Sequence, residues 1–309
     1  MTTIPMQDQT NNIALNYADD MPTKPTRYAA MEAKRRIERA QRGEYFYSTG
    51  LGGIDKLMRL RPATYTVVAA QSGTGKTAMA LQVAEQIEKI KRQRRDERAT
   101  LIFSAEMASA ELIQRMAAGR TGISVWQQES GKLTSEQVAL LERTFDAIAD
   151  TVPFQIDEED SPDRDHVFQS CEIVAKSHGL SMVIFDYIEL ATSDEKFKAE
   201  HVRSVAKTLK NIARRYDIPT IGISQVNKDV SHRANKQPEM TDLRYGGHEP
   251  ADGVIILQDA ADVQVADPDY TPVKAWIVKN RSGKRGSADL LFHGPTTRFV
   301  DADFQRTEL

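Results

Sequence analysis

Cysteine is almost absent from this sequence, with Cys171 the single one in 309 residues. One cysteine cannot form an internal disulfide framework or a cysteine-rich zinc site, so we expect it to be a small buried hydrophobe on a helix. Long apolar runs are missing too: no stretch approaches the roughly 18–20 residues that cross a bilayer, and no apolar segment follows the N-terminus. These absences predict a protein that is neither secreted nor inserted in a membrane.

The net charge is small as well, −3 with a pI near 6.1. That value excludes a uniformly basic surface and gives no global indication of nucleic-acid binding. Hydrophobic residues make up 40% of the chain, which is enough for a core and too many for a wholly disordered protein. The length leaves room for one large domain or two small ones.

Three segments can be distinguished along the chain. Residues 1–24 are polar, lack periodicity and contain two prolines, which predicts a flexible tail. Residues 25–45 begin with a proline, hold strong helix formers and many basic residues, and reach Gly43 near their end, which predicts a basic linker helix. That helix is either a solvated surface helix or one that docks on another subunit. Residues 46–309 form the remaining domain.

Within this domain, β-rich runs alternate with segments of helical periodicity. Such alternation predicts an α/β fold with a mostly parallel sheet covered by helices. The last runs follow one another without helices, so we expect an antiparallel edge there. Ser161 and Pro162 are expected to open one of the helices as its cap and first residue. The predicted strands are Tyr65–Ala70, Thr100–Ser104, Phe154–Asp157, Ser181–Asp186, Ile218–Ser224, Gly253–Leu257, Val273–Lys279 and Ala288–Phe292.

A glycine-rich segment lies between the first strand and its helix. The residues from Ala70 to Thr77, AQSGTGKT, match the P-loop pattern except that Ala70 stands where a glycine is usual. Backbone N–H groups of Ser72, Gly73, Thr74, Gly75 and Lys76 can curl around phosphate oxygens, since the two glycines permit that curvature. The Lys76 ammonium would contact the β- and γ-phosphates, and the Thr77 hydroxyl would contact Mg²⁺. The segment predicts a nucleoside triphosphate site that takes ATP and Mg²⁺.

Three more polar residues stand at or just past the ends of predicted strands. Asp186 closes the buried run SMVIFD and fits the acid that holds the metal. Glu106 follows TLIFS and could polarise the attacking water as a general base. Gln225 follows IPTIGIS, at the strand end where ligands of open α/β sheets bind. Each of these residues, taken alone, is also typical of a helix cap or a structural polar residue, but together they predict one site.

Seven segments form a series along the chain: TGLGGID (49–55), AAQSGTGKT (69–77), FSAEM (103–107), VIFDY (183–187), ISQVN (223–227), TDLR (241–244) and VKNRSGKRG (278–286). In order and spacing, this series resembles the motifs of DnaB-type replicative helicases, which are hexameric motors with RecA-like ATPase cores. The resemblance covers about residues 46–301 and includes the alanine in the P-loop.

The resemblance assigns a role to most of the polar residues. It implies that Asp186 holds the metal through water, that Glu106 is the catalytic carboxylate, and that Gln225 senses the γ-phosphate. It also implies that Lys279 and Arg281 reach into the nucleotide site of the neighbouring subunit, because a permanently charged arginine stabilises phosphoryl charge.

DNA contacts are implied for the segment 228–240, which lies between the ISQVN and TDLR motifs. It carries Lys228, Arg233 and Lys236, which would contact phosphates and so bind DNA without sequence preference. Arg203, on a predicted helix with a basic stripe, is a further candidate, although such a stripe is more often an ordinary solvated face.

Two features depart from the family pattern. The segment from Tyr245 to Gly253, YGGHEPADG, stands where the family usually shows a more acidic, serine-containing stretch. Only a tail and one helix precede the ATPase core, so we expect the N-terminal collar domain to be missing and a phage or mobile-element origin to be plausible. The implied partners are single-stranded DNA, further copies of the chain in a hexamer, and a helicase loader or primase.

The sequence thus predicts an ATP-dependent ring helicase that moves 5′→3′ on single-stranded DNA in replication, in the cytoplasm of a bacterial or phage-infected cell. One alternative is a RecA/RadA-like recombination ATPase that forms filaments, which would share the P-loop, Asp186 and Glu106. Another is a non-motor ATP-dependent loader that binds DNA. The TDLR and KNRSGKRG segments favour the ring helicase, as does the presence of the hydrolysis groups.

Overall fold

A computed structural model of the chain describes residues 25–151, 154–191, 196–226, 237–260, 265 and 267–302. The described residues up to Phe46 and those from Tyr47 onward form two separate compact units. The first unit contains helix α1 (Thr26–Gln41), which follows Pro25 and buries none of its residues completely. The tail predicted for residues 1–24 lies outside the described residues.

The second unit is built on a single mixed sheet, which has nine strands in the described part of the chain, in the order β3-β2-β4-β5-β1-β6-β7-β8-β9. The strands from β3 to β6 are parallel, and those from β6 to β9 are antiparallel. This confirms the predicted α/β fold class and its antiparallel edge. The strands are β1 (Thr64–Ala70), β2 (Ala99–Ser104), β3 (Phe154–Asp157), β4 (Leu180–Asp186), β5 (Pro219–Gln225), β6 (Gly253–Asp259), β7 (Tyr270–Asn280), β8 (Gly286–His293) and β9 (Arg298–Asp301).

Helices cover both faces of the parallel strands. Because successive side chains of a strand point to opposite faces, Val68 and Ala70 join one hydrophobic cluster while Val67 and Ala69 join the other. Helices α3, α4 and α6 contribute to the first cluster, and α7 and α8 to the second, in which Cys171 is buried as expected. The helices are α2 (Gly52–Asp55), α3 (Lys76–Gln93), α4 (Ser109–Thr121), α5 (Val125–Glu129), α6 (Ser135–Thr151), α7 (Arg164–Ser177) and α8 (Lys198–Arg215).

Two local features differ from the sequence prediction. Helix α7 begins at Arg164, not at Pro162, because the side chain of Asp163 accepts hydrogen bonds from the amides of Asp165 (3.0 Å) and His166 (2.8 Å) and caps the helix. Strand β9 was not predicted, and its last residue, Asp301, accepts two hydrogen bonds of 2.8 Å from backbone amides at the start of α2.

Among the helices of the described residues, none combines the length and the apolar character that a membrane crossing requires.

Candidate nucleotide-binding site

The P-loop follows a strand that is buried almost along its whole length. Ala70 ends β1 in the middle of the sheet, in register with Gln225 of β5 on one side and Leu257 of β6 on the other. The loop then turns through Gly73 (φ +87°) and Gly75 (φ +90°), a backbone region that residues with a Cβ rarely adopt. Gly75 is also the residue before α3, so the amide end of this helix faces the loop.

Lys76 and Thr77 follow this loop and are the first two residues of α3. The Lys76 ammonium donates a hydrogen bond to the carbonyl of Gln71 (3.2 Å), across the loop. Burial lowers the pKa of Lys76, while the carboxylates of Asp186, Glu189 and Glu106 act in the opposite direction. An ammonium that is partly desolvated and surrounded by acids is placed to bind an anion together with a metal ion.

Asp186 is the last residue of β4 and is 6% exposed. Its Oδ2 accepts a hydrogen bond of 2.5 Å from the Thr77 hydroxyl, which joins the predicted metal ligands directly. The pKa of Asp186 is raised to about 6: burial and the Glu106 carboxylate raise it, against the hydrogen bond from Thr77 and the charge of Lys76. A desolvated carboxylate beside a hydroxyl is an oxygen ligand set of the kind that Mg²⁺ prefers.

Glu106 lies just beyond the neighbouring strand. Strand β2 ends at Ser104, in register with Asp186, and the amide of Ala105 donates a hydrogen bond of 3.1 Å to the Asp186 carbonyl. The Ser104 hydroxyl donates to the carbonyl of Met107 (2.5 Å), which closes a tight turn around Glu106. The exposed Glu106 carboxylate therefore lies close enough to Lys76 and Asp186 to shift the pKa values of both.

Lys279 and Arg281 are not part of this group. Strand β7 runs antiparallel, so Asn280 pairs with Gly253, which in turn pairs with Thr66 near the start of β1. At about 3.3 Å a residue, this places the two cations roughly 13 Å along the strands from the level of Ala70, at the opposite edge of the sheet. Their side chains contact the segment from His248 to Asp252 of the same chain. They lie away from the P-loop of their own chain.

The predicted DNA contacts are only partly within the described residues. Lys228, Arg233 and Lys236 lie outside them. Arg203 is exposed on α8, and its Nε is 3.3 Å from the Glu249 carboxylate.

The family model of the DnaB-like helicase C-terminal domain matches residues 47–301, most of the chain. The chain belongs to this family. Among curated relatives, it is 28% identical to the replicative DNA helicase DnaB of Leifsonia xyli over 82% of its own length and 55% of the relative's. It is 26% identical to the DnaB of Geobacillus stearothermophilus over 82% and 56% of the two chains, so it spans about half the length of these relatives.

Solved structures show the same fold. One solved ATPase domain superposes with a TM-score of 0.76 at 22% identity, covering 90% of this chain and 99% of that one. A DnaB-like replicative helicase, solved in a study of its interactions with primase, gives a TM-score of 0.72 at 21% identity and covers 95% and 75% of the two chains. The predicted RecA-like fold is therefore confirmed, and membership of the DnaB-like family does not favour the recombination alternative.

The DnaB-like core of this chain contains a buried acid that sequence reasoning missed. Glu189 is 3% exposed on a short 3₁₀ turn (Ile188–Leu190), and burial raises its pKa. Its Oε1 accepts hydrogen bonds from the Ser224 hydroxyl (2.5 Å) and the Gln225 amide (2.9 Å). Strand β4 pairs with β5 only as far as Gly222, so it offers no backbone carbonyl to the amide of Gln225. The Glu189 carboxylate is the acceptor for that amide instead. Its place three residues after Asp186 was the only sequence signal.

Arg115 was also missed. It lies on α4, and its charge acts to lower the pKa of Asp186. Its Nε is buried and has no hydrogen-bond partner among the described residues. Nothing in the sequence distinguishes Arg115 from other basic residues on predicted helices, so its effect on the pKa of Asp186 could not be predicted.

Proposed function

We propose that this protein is an ATP-dependent ring-forming DNA helicase that translocates 5′→3′ on single-stranded DNA in DNA replication, in the cytoplasm. The observation that carries this proposal is the convergence of Lys76, Thr77, Asp186, Glu106 and Gln225 at one edge of the sheet, in a chain of the DnaB-like family. Hydrolysis groups at one edge and cations at the other are what a motor assembled from several copies requires.

Nucleotide binding would use the loop from Ser72 to Thr77. Backbone amides of this loop and the Lys76 ammonium would bind the phosphates, helped by the positive end of α3. The Thr77 hydroxyl and the Asp186 carboxylate fit Mg²⁺, because both are oxygen ligands and already lie 2.5 Å apart. Mg²⁺ usually keeps several waters, so Asp186 would act through one of them; the ion would neutralise phosphate charge.

Glu106 would activate the attacking water. Its carboxylate is exposed, on a backbone that the turn after β2 holds in place, so it can accept a proton from a water beside the γ-phosphate. Gln225, at the end of the strand next to the P-loop, would detect the γ-phosphate. Since Gln225 is followed directly by the segment that carries Lys228, Arg233 and Lys236, a shift at Gln225 would be passed to the proposed DNA contacts.

The remaining charged groups would act between molecules. Lys279 and Arg281 cannot serve the P-loop of their own chain, and they would complete the site of a neighbouring copy, which favours a homo-oligomer, and by family a hexamer. Lys228, Arg233, Lys236 and Arg203 would contact the phosphates of single-stranded DNA. A loader or a primase would be a further partner; a primase is the partner named for one structural neighbour.

Unwinding of forked DNA tests the proposal. Purified protein is incubated with ATP, Mg²⁺ and forks that carry either a 5′ or a 3′ tail, and ATP hydrolysis is measured with and without single-stranded DNA. We expect unwinding from the 5′ tail, with Lys76→Ala and Arg281→Ala both inactive. Lys176→Met, a surface change on α7, is the control and keeps full activity. Hydrolysis stimulated by DNA without unwinding of either fork would refute the helicase and favour the loader.

A further inference from the structure

The segment from Tyr245 to Asp252, between the TDLR motif (241–244) and β6, is closely packed. It begins with two residues in the left-handed region, Tyr245 (φ 59°) and Gly246 (φ 76°). A Cβ at Gly247 would lie 2.3 Å from the Ile188 side chain, and the Gly247 carbonyl accepts a hydrogen bond from the Tyr65 hydroxyl (3.3 Å). A loop packed this closely against the sheet can hold other groups in a fixed position.

The groups it holds are the two cations proposed to act in the neighbouring subunit. The Lys279 ammonium donates to the carbonyls of His248 (3.3 Å) and Glu249 (3.1 Å). The backbone amide of Arg281 donates to the Asp252 carbonyl (2.9 Å), and its guanidinium lies 3.3 Å from Asp252 Oδ1. Both cations therefore depend on this one loop for their position.

Asp252 uses its two carboxylate oxygens differently. Oδ2 is anchored by the Tyr65 amide (2.9 Å) and the Lys210 ammonium (2.6 Å), and Lys210 is itself fixed on the Ala63 carbonyl (3.0 Å). Oδ1 faces Arg281. The Asp252 side chain is only 12% exposed while that of Arg281 is 54% exposed, so a buried, anchored acid holds one nitrogen of a solvent-facing guanidinium.

We propose that Asp252 is a positioning residue for Arg281: it fixes the guanidinium so that its remaining N–H groups reach the γ-phosphate of the nucleotide bound by a second copy of the chain. The inference rests on the proposed function of Arg281 in trans. A guanidinium has five N–H donors, so the single contact to Asp252 leaves the others available. Holding a long side chain in advance removes the entropy cost of ordering it when the nucleotide arrives.

Rings that mix two variants test this proposal, because the substituted Asp252 and the intact P-loop whose activity is measured then lie in different subunits. Subunits with Lys76→Ala cannot hydrolyse ATP but still offer Arg281, and subunits with Arg281→Ala have an intact P-loop but no arginine to offer. Mixing the two is expected to restore ATPase activity, because each intact P-loop then meets an intact Arg281. A tag on one variant, co-purified with the other, shows that mixed rings have formed.

The donor subunit then receives a second substitution. With Lys76→Ala/Asp252→Asn donors we expect the restored kcat to fall on the order of tenfold at unchanged KM for ATP, because a misplaced arginine affects the transition state more than binding. Lys76→Ala/Lys176→Met is the matched control: it changes an exposed lysine on α7, keeps the contact of Asp252 to Arg281, and restores activity as well as Lys76→Ala alone. If the Asn variant does not join the rings, Asp252→Glu replaces it, and its longer side chain is expected to displace Arg281 with the same loss.

Three results would overturn the inference. The first is full restoration by the Asp252 donor, and the second is a gain of activity, which would mean that Asp252 withholds Arg281. The third is an equal loss with the control Lys176→Met, which would show that the loss does not depend on Asp252. If the first pair, Lys76→Ala with Arg281→Ala, restores nothing in rings shown to be mixed, the trans role of Arg281 fails and the inference falls with it.

Discussion

Gly75 and Gly73 have nearly the same backbone conformation but very different surroundings. Both lie at φ close to +90°, so an alanine at either position is strained. A Cβ at Gly73 would meet nothing within 4 Å, whereas a Cβ at Gly75 would lie 2.8 Å from Phe299 Cζ and 3.1 Å from Phe292 Cε2. The two substitutions therefore separate backbone strain from overpacking within one loop.

The two contributions can be given magnitudes. Backbone strain of this kind costs about 1–3 kcal/mol of the free energy of unfolding, and it applies to both glycines. Overpacking against a side chain that cannot move adds about 1–3 kcal/mol. Phe299 is only 2% exposed, so this second cost applies to Gly75. We expect Gly73→Ala to cost about 1–3 kcal/mol and Gly75→Ala about 2–6 kcal/mol.

Urea unfolding of the two variants, without nucleotide, measures the difference. Phe299→Leu removes the two ring atoms that lie closest to the new Cβ and leaves the Phe292 ring at 3.1 Å, so in this background the cost of Gly75→Ala should fall toward that of Gly73→Ala. The reasoning would be refuted if both alanine variants were destabilised equally in the natural background. It would also be refuted if the cost at Gly75 were unaffected by Phe299→Leu.

Three further outcomes are expected. The raised pKa of Asp186 means that the folded protein binds a proton more tightly than the unfolded chain, so this stability is present below about pH 4 and is lost as the pH rises through about 6. Asparagine does not titrate, so the free energy of unfolding of Asp186→Asn should rise by about 2–3 kcal/mol relative to that of the natural protein between pH 4 and pH 7. Urea unfolding in the presence of a chelator measures this difference. Lys91→Met removes one partner of a buried ion pair and should cost about 3–5 kcal/mol, against less than 1 kcal/mol for the exposed Lys176→Met, by the same measurement. Glu189→Ala leaves the Gln225 amide unpaired and should lower kcat for ATP, whereas Glu189→Gln keeps an acceptor and should retain most of it; equal rates in the two variants would contradict the role of this hydrogen bond.

The P-loop and most of the strands were predictable because their signals are local. The run before Ala70 is β-rich and apolar, and Gly73 and Gly75 mark a turn that only a residue without a Cβ forms easily. The strand order could not be predicted, because nothing near β1 in the sequence indicates that β5 and β6 are its neighbours. The start of α7 was misplaced because Ser161 and Asp163 are both good caps, and only the structure shows which one binds the free amides.

Local sequence patterns were enough to predict the class of fold, the phosphate loop and the acids at the ends of strands, because each depends on a few consecutive residues. Contacts between segments far apart in the chain became visible only in the folded structure. It showed that Glu189 replaces a missing strand partner of Gln225, and that Lys279 and Arg281 lie at the edge of the sheet opposite their own P-loop. Asp252 draws its partners from residues 65, 210 and 281, and a carboxylate gains that role only when folding brings them within hydrogen-bond distance.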